Sequence, residues 1–145
     1  MPPSGKPIRV SAEGFLPYYL DNLAARLVDA GQRDEAERAL QQGLSLAPKA
    51  GRLHYNYGTL LLNSERFGEA ERQLRLAIRY GWDDADAWVN RGVALWKLGK
   101  TTKAEDCFET ALKKDPKKPR ALSNREALRR ETGHSAVPPA GARDP

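Results

Sequence analysis

The chain is short of the residues that most chemistry requires. Cys107 is its one cysteine in 145 residues, which excludes an intrachain disulfide framework and a cysteine-built zinc site. A lone thiol in such a chain is expected to be a small buried hydrophobe. His54 and His134 are the two histidines, and neither stands in an arrangement that points to nucleophilic catalysis. No run of about 18 apolar residues occurs, so no membrane span is expected. The opening MPPSGKPIRV carries Lys6 and Arg9 with no apolar stretch behind them, which argues against a secretory signal. No glycine loop of the phosphate-binding kind is present. These absences lead to the expectation of a non-enzymatic, cytoplasmic chain with no cofactor.

Charge is abundant but uneven. The net charge is +5. Residues 97–130 hold 11 basic against 5 acidic side chains, while the remainder holds 13 against 14. A basic end can draw nucleic acid, anionic lipid or an acidic protein. The plainer expectation is a solvated helix face. Asp83, Asp84 and Asp86 resemble a cation site only superficially, because acids are also favoured at a helix N-terminus.

What the chain does have is internal repetition. Gly58, Ala70 and Ala77 recur as Gly92, Ala104 and Ala111, each 34 residues later. With these glycines at position 8 of the frame, units run 17–50, 51–84 and 85–118 without insertion. Position 20 is Ala36, Ala70 and Ala104, and position 21 is Glu37, Glu71 and Glu105. Position 24 is Leu40, Leu74 and Phe108, and position 28 is Leu44, Ile78 and Leu112. A fixed period of this length means stacked supersecondary units.

Each unit reads as two helices. Leu20, Leu23, Ala24, Leu27 and Val28 recur at helical spacing. Pro17 suits a first helical position, and Gly31 and Gly99 suit a left-handed helix end. Asp34-x-x-Glu37 and Thr102-x-x-Glu105 have the capping-box pattern. Pro48 and Pro116 follow second helices that they cannot continue. Small residues at positions 8, 20 and 27 let helices approach, and larger ones at positions 4, 11, 24 and 28 fill the space. Residues 119–132, with Leu122, Asn124, Ala127 and Leu128, extend the frame by one capping helix. Residues 1–16 read as a flexible lead-in, with a helical start conceivable at Ser11–Leu16, and residues 133–145 as a disordered tail.

This pattern resembles the tetratricopeptide repeat family. Trp88, Gly92, Ala104, Phe108, Ala111 and Pro116 match it best, whereas the second unit has His54 at the usual tryptophan position. The resemblance implies an all-α, right-handed solenoid of three helix pairs and a C-terminal capping helix, over residues 17–132. It also implies that first helices line a concave groove through frame positions 2, 5, 6, 9, 12 and 13. Position 6 is then a ladder of Asn22, Asn56, Asn90 and Asn124, amides that could hold the backbone of an extended peptide or simply support neighbouring helices. Tyr55, Leu62, Val89, Val93 and Trp96 are the expected apolar contacts, with Arg52 and Lys97 beside them. Trp96 could equally pack as core.

The resemblance therefore implies an adaptor or co-chaperone-like module that takes a peptide or helix of a partner protein. The family's carboxylate clamp is not expected: it would need bases where this chain has Tyr18, Asp86 and Asn90, and only Asn22 and Asn56 fit. Self-association through Phe15-Leu16 or through 119–132 is the alternative, and a nucleic-acid or lipid partner for the basic end is less favoured.

Overall fold

The computed structural model describes residues 12–133, and the readings made for 1–11, for His134 and for the rest of the tail lie outside them. Seven helices follow one another: α1 (Ala12–Asp29), α2 (Arg33–Leu46), α3 (Gly51–Asn63), α4 (Phe67–Arg79), α5 (Ala85–Lys97), α6 (Thr101–Lys114) and α7 (Pro119–Thr132). They pair as α1/α2, α3/α4 and α5/α6, and α7 closes the row. Each packs only on helices one or two places away. This is an all-α solenoid, and the 34-residue frame of the sequence falls on it unit by unit.

The repeated small residues sit where helices meet most closely. A methyl group added at Gly58 would lie 2.7 Å from Leu74 Cγ, and one at Gly92 would lie 2.6 Å from Phe108 Cε1. Position 8 of a unit therefore faces position 24 of the same unit, a small residue under a large one. Position 27 faces the next unit: a methyl group at Gly43 would lie 2.6 Å from Leu53 Cδ2. Leu40, Leu74 and Phe108 are buried at these contacts. Burying such side chains contributes about 1.5–3 kcal/mol each, spread evenly along the row because every pair repeats the same arrangement.

Turns also repeat. Gly31 and Gly99 take φ of +79° between the helices of units one and three, as their positions predict. Their counterpart in unit two is Glu65, which holds φ of +60° without being glycine. At the start of α5, Asp84 caps the helix, its side chain accepting from Ala87 N at 2.8 Å.

Three local expectations are corrected. Pro17 lies inside α1, whose helical run begins at Ala12; residues 12–16 are therefore helix, the helical of the two readings given for Ser11–Leu16, and not a flexible lead-in. The capping boxes do not form. Helices α2 and α6 start at Arg33 and Thr101, and neither has a side-chain cap. Their glutamates bond across units instead. Glu37 accepts from Tyr57 at 2.8 Å and from Arg66 Nη1 at 2.7 Å, and Glu105 accepts from Arg129 Nε at 2.6 Å. Glu71 in the middle unit accepts from Arg91 Nε at 3.2 Å. A charged partner on the next element wins over a local backbone N–H because the charge-assisted bond is the stronger one.

Candidate functional site

Helices α1, α3, α5 and α7 each contact the next of their set, and their polar side chains are tied to one another in a regular way. Asn56 Nδ2 donates to Asp21 Oδ1 at 2.6 Å. One unit on, Asn90 Nδ2 lies 3.4 Å from Tyr55 Oη and 3.3 Å from Thr59 Oγ1. Each amide reaches back 35 residues, from position 6 of one unit to position 5 of the unit before. Arg120 then donates to Asn90 Oδ1 at 3.0 Å. Asn90 is 3% exposed, so its amide is fully engaged within the chain.

The ladder thus splits. Asn56 and Asn90 hold adjacent units together. Asn22 is exposed on α1. Asn124 is half-buried, and the residue 35 before it is Val89, which offers no side-chain acceptor.

The apolar residues divide too. Val89 is 0% exposed and packs with Ala85, Ala111 and Ala121, which corrects its expected place on the groove wall: the side chain turns inward between α5, α6 and α7. Leu62 and Val93 are half-buried. Trp96 is half-buried, sits edge-on to Phe108 with centroids 6.3 Å apart, and donates from Nε1 to Glu131 at 2.9 Å. Tyr55 lies 5.7 Å from the Trp82 ring. Burial first, and then the nearby Asp86 and Asp84 carboxylates, push its hydroxyl above the usual tyrosine range. Lys97 is exposed. Arg52 reaches Asp21, Nε to Oδ2 at 2.8 Å.

Between α1 and α3 lies a cavity of about 240 Å³. Ala24, Val28, Leu40 and Leu60 form its apolar walls, and Asp21, Asn56 and Thr59 supply polar atoms. Asp29, Arg33 and Asn63 also line it. Asp21, Arg33 and Asn63 are not among the contacts that the sequence singled out. The available signal was an acid at position 5, where the other units carry Tyr55, Val89 and Ser123.

Part of the basic end is paired within the chain. Lys118 pairs with Asp86 at 2.8 Å, Arg125 with Glu109 at 3.2 Å, Arg129 with Glu105 at 2.6 Å, and Arg130 with Glu126 at 3.3 Å. His54, buried in place of the usual tryptophan, bridges Gln73 Oε1 and the Pro48 carbonyl, both at 2.7 Å. Among the described residues, no group of three or more His, Cys, Asp or Glu side chains could hold a metal ion.

Two family descriptions match the chain, both of the tetratricopeptide repeat, over residues 27–88 and 85–118. No curated protein matches it. Several solved structures share its fold. The first repeat domain of Spaghetti (RPAP3), bound to the HSP90 peptide SRMEEVD, is 21% identical, with 87% of this chain and 98% of that one covered at a TM-score of 0.79. The second domain of human RPAP3, in complex with an HSP70 peptide, is 22% identical over 78% and 98%, at 0.72. The Arabidopsis OM64 domain is 19% identical over 79% and 94%, at 0.75. At these identities the likeness is one of fold.

Proposed function

The chain belongs to the tetratricopeptide repeat family, and on that premise we propose that it is a non-catalytic interaction module holding a peptide or helix of a partner protein against its concave side. The observation that carries this reading is the cavity of about 240 Å³ between α1 and α3. Leu62, Val93 and Trp96, on α3 and α5, are half-exposed. Ligand sites are typically concave, mostly apolar and marked by a few polar groups. Related domains hold HSP90 and HSP70 peptides by their own descriptions, which supports a protein partner in general.

The partner's chemistry is expected to differ from theirs. An acidic peptide tail needs bases in the groove. Here Asp86 is paired to Lys118 and Asn90 is buried, so a peptide ending in Glu-Glu-Val-Asp is expected not to bind.

Ala25→Trp tests the reading, because Ala25 is exposed at the cavity and its replacement fills it. Peptides selected on the wild-type protein from a random dodecapeptide library should bind this variant about tenfold or more weakly, with the helical signal unchanged. Equal binding to both proteins would place the contact elsewhere.

A second reading is self-association. Phe15, Tyr18 and Tyr19 are 61%, 56% and 53% exposed on α1, an aromatic surface that a second copy would cover. Sedimentation that stays monomeric at all accessible concentrations would remove this reading.

A further inference from the structure

Aromatic rings and free cations meet along one edge of the solenoid. On this edge the second helix of each unit ends and the first helix of the next begins. The start of α3 and the residues after α4 line one hollow there together with Tyr18 of α1. The residues after α4 and the end of α6 are joined by Lys114 and Asp83 at 3.1 Å, and the starts of α5 and α7 by Lys118 and Asp86 at 2.8 Å. The hollow measures about 370 Å³, and Tyr18, Tyr80 and Trp82 stand in its lining beside Arg52. Tyr18 is exposed, and Tyr80 and Trp82 are half-buried. The last two are braced by other rings, His54 at 5.5 Å from Tyr80 and Tyr55 at 5.7 Å from Trp82.

The charge left over on this edge is of one sign. Asp83 accepts from Trp88 and pairs with Lys114, and Asp86 pairs with Lys118. Asp84 caps α5, and Asp115 accepts from the Lys117 backbone N–H. Each acid is thus engaged by its own chain. Lys49, Arg79, Lys113 and Lys117, at or just after the ends of α2, α4 and α6, are exposed, and among the described residues no ion pair holds their side chains. Arg79 and Lys113 share one frame position, and Lys49 and Lys117 share another, so the cations recur along the edge with the units.

A ring-lined hollow beside a row of cations is complementary to a flat aromatic group carried on a chain of negative charges. An acidic peptide brings charge without the flat group. An anionic bilayer brings charge but nothing that enters a hollow. A duplex keeps its bases stacked inside. A single strand brings both parts, since every base has a face to stack on and every link carries a phosphate.

We propose that this edge binds single-stranded nucleic acid, one base entering the hollow against Tyr18 and Trp82 and the backbone following Lys49, Arg79, Lys113 and Lys117. The site is separate from the concave-side reading above and does not rest on it.

Fluorescence anisotropy on the full chain tests this, with labelled twelve-nucleotide oligo(U) and oligo(dT) as probes. Binding of either at 50 mM salt supports the edge, provided that affinity falls with salt at a log–log slope of about −2 to −3, roughly 0.7 for each phosphate contact. A duplex of the same length should bind about tenfold more weakly. Tyr18→Ala, at an exposed position, should weaken binding about fivefold or more, and Tyr18→Phe, which keeps the ring, should not. Arg79→Gln combined with Lys113→Gln should bring the slope about 1.4 nearer to zero. No binding of either strand would overturn the proposal. So would a duplex that binds equally, a Tyr18→Ala variant that binds like wild type, or displacement of the strand by phosphatidylserine vesicles or by poly-glutamate at equal charge.

Discussion

Asn56 and Asp21 meet across two units of the solenoid, amide Nδ2 to carboxylate Oδ1 at 2.6 Å. The acid is buried and the amide is half-buried, so the bond ties α1 to α3. Asn56→Ala removes the one aligned donor that Asp21 has, and is expected to destabilise the fold by about 1–3 kcal/mol. Asn22→Ala, at an exposed α1 position, should stay within about 0.5 kcal/mol. Urea denaturation of the two variants checks the contrast, and equal effects would show that the tie contributes nothing.

Glycine at frame position 8 is there for space. In Gly92→Ala the new methyl would stand 2.6 Å from Phe108 Cε1 and 3.1 Å from Cys107 Cβ. Both neighbours are buried, so the α5/α6 pair must open, at about 1–3 kcal/mol. Gly68→Ala, early in α4, meets nothing within 4 Å and should stabilise by up to about 1 kcal/mol. Thermal unfolding should move in opposite directions for the two alanines.

Glu65 occupies the turn position where the other units have Gly31 and Gly99, and it carries φ of +60°. A side chain there costs roughly 1–2 kcal/mol. Glu65→Gly removes that strain but frees the unfolded chain, so a net gain of about 0.5–1 kcal/mol is expected. A midpoint in urea that does not rise would mean that the turn is not strained.

Cys107 is buried against Gly92. Burial, aided by Asp106 and Glu71 and opposed by Arg91, pushes its thiol up to about 11 from the ordinary 9.0. The native thiol therefore stays protonated and should react with a disulfide reagent at pH 8 only when the chain unfolds. In the unfolded chain the thiol ionises first. Its contribution to stability is fully present below about 9 and is lost as pH rises towards about 11. Cys107→Ala should have a shallower alkaline decline, read by denaturant titration across that range.

Much of this was legible from residues, and the part that was not has a common cause. The period of Gly58 and Gly92 gave the helix pairs and their order, because close packing demands small residues at fixed places. Asp84 was readable as a cap because its partner, Ala87 N, is three residues away. Glu37 and Glu105 were misread as capping-box members because Arg66 and Arg129, their actual partners, lie 29 and 24 residues on. Val89 was misplaced for a related reason. Frame position says which helix a residue is on, but α7 covers α5 from the far side, and local pattern does not register that cover. Asp21 was not singled out because its partners, Asn56 and Arg52, are both in the next unit.

The neighbour-to-neighbour ties also bear on how the chain comes together. Asn56–Asp21, Asn90–Tyr55 and Trp96–Glu131 each close 35 residues of chain, and no helix packs on one more than two places away. Ordering the molecule never requires closing a long loop. Folding should be fast for its size, and during synthesis each pair can lock as soon as the following helix leaves the ribosome.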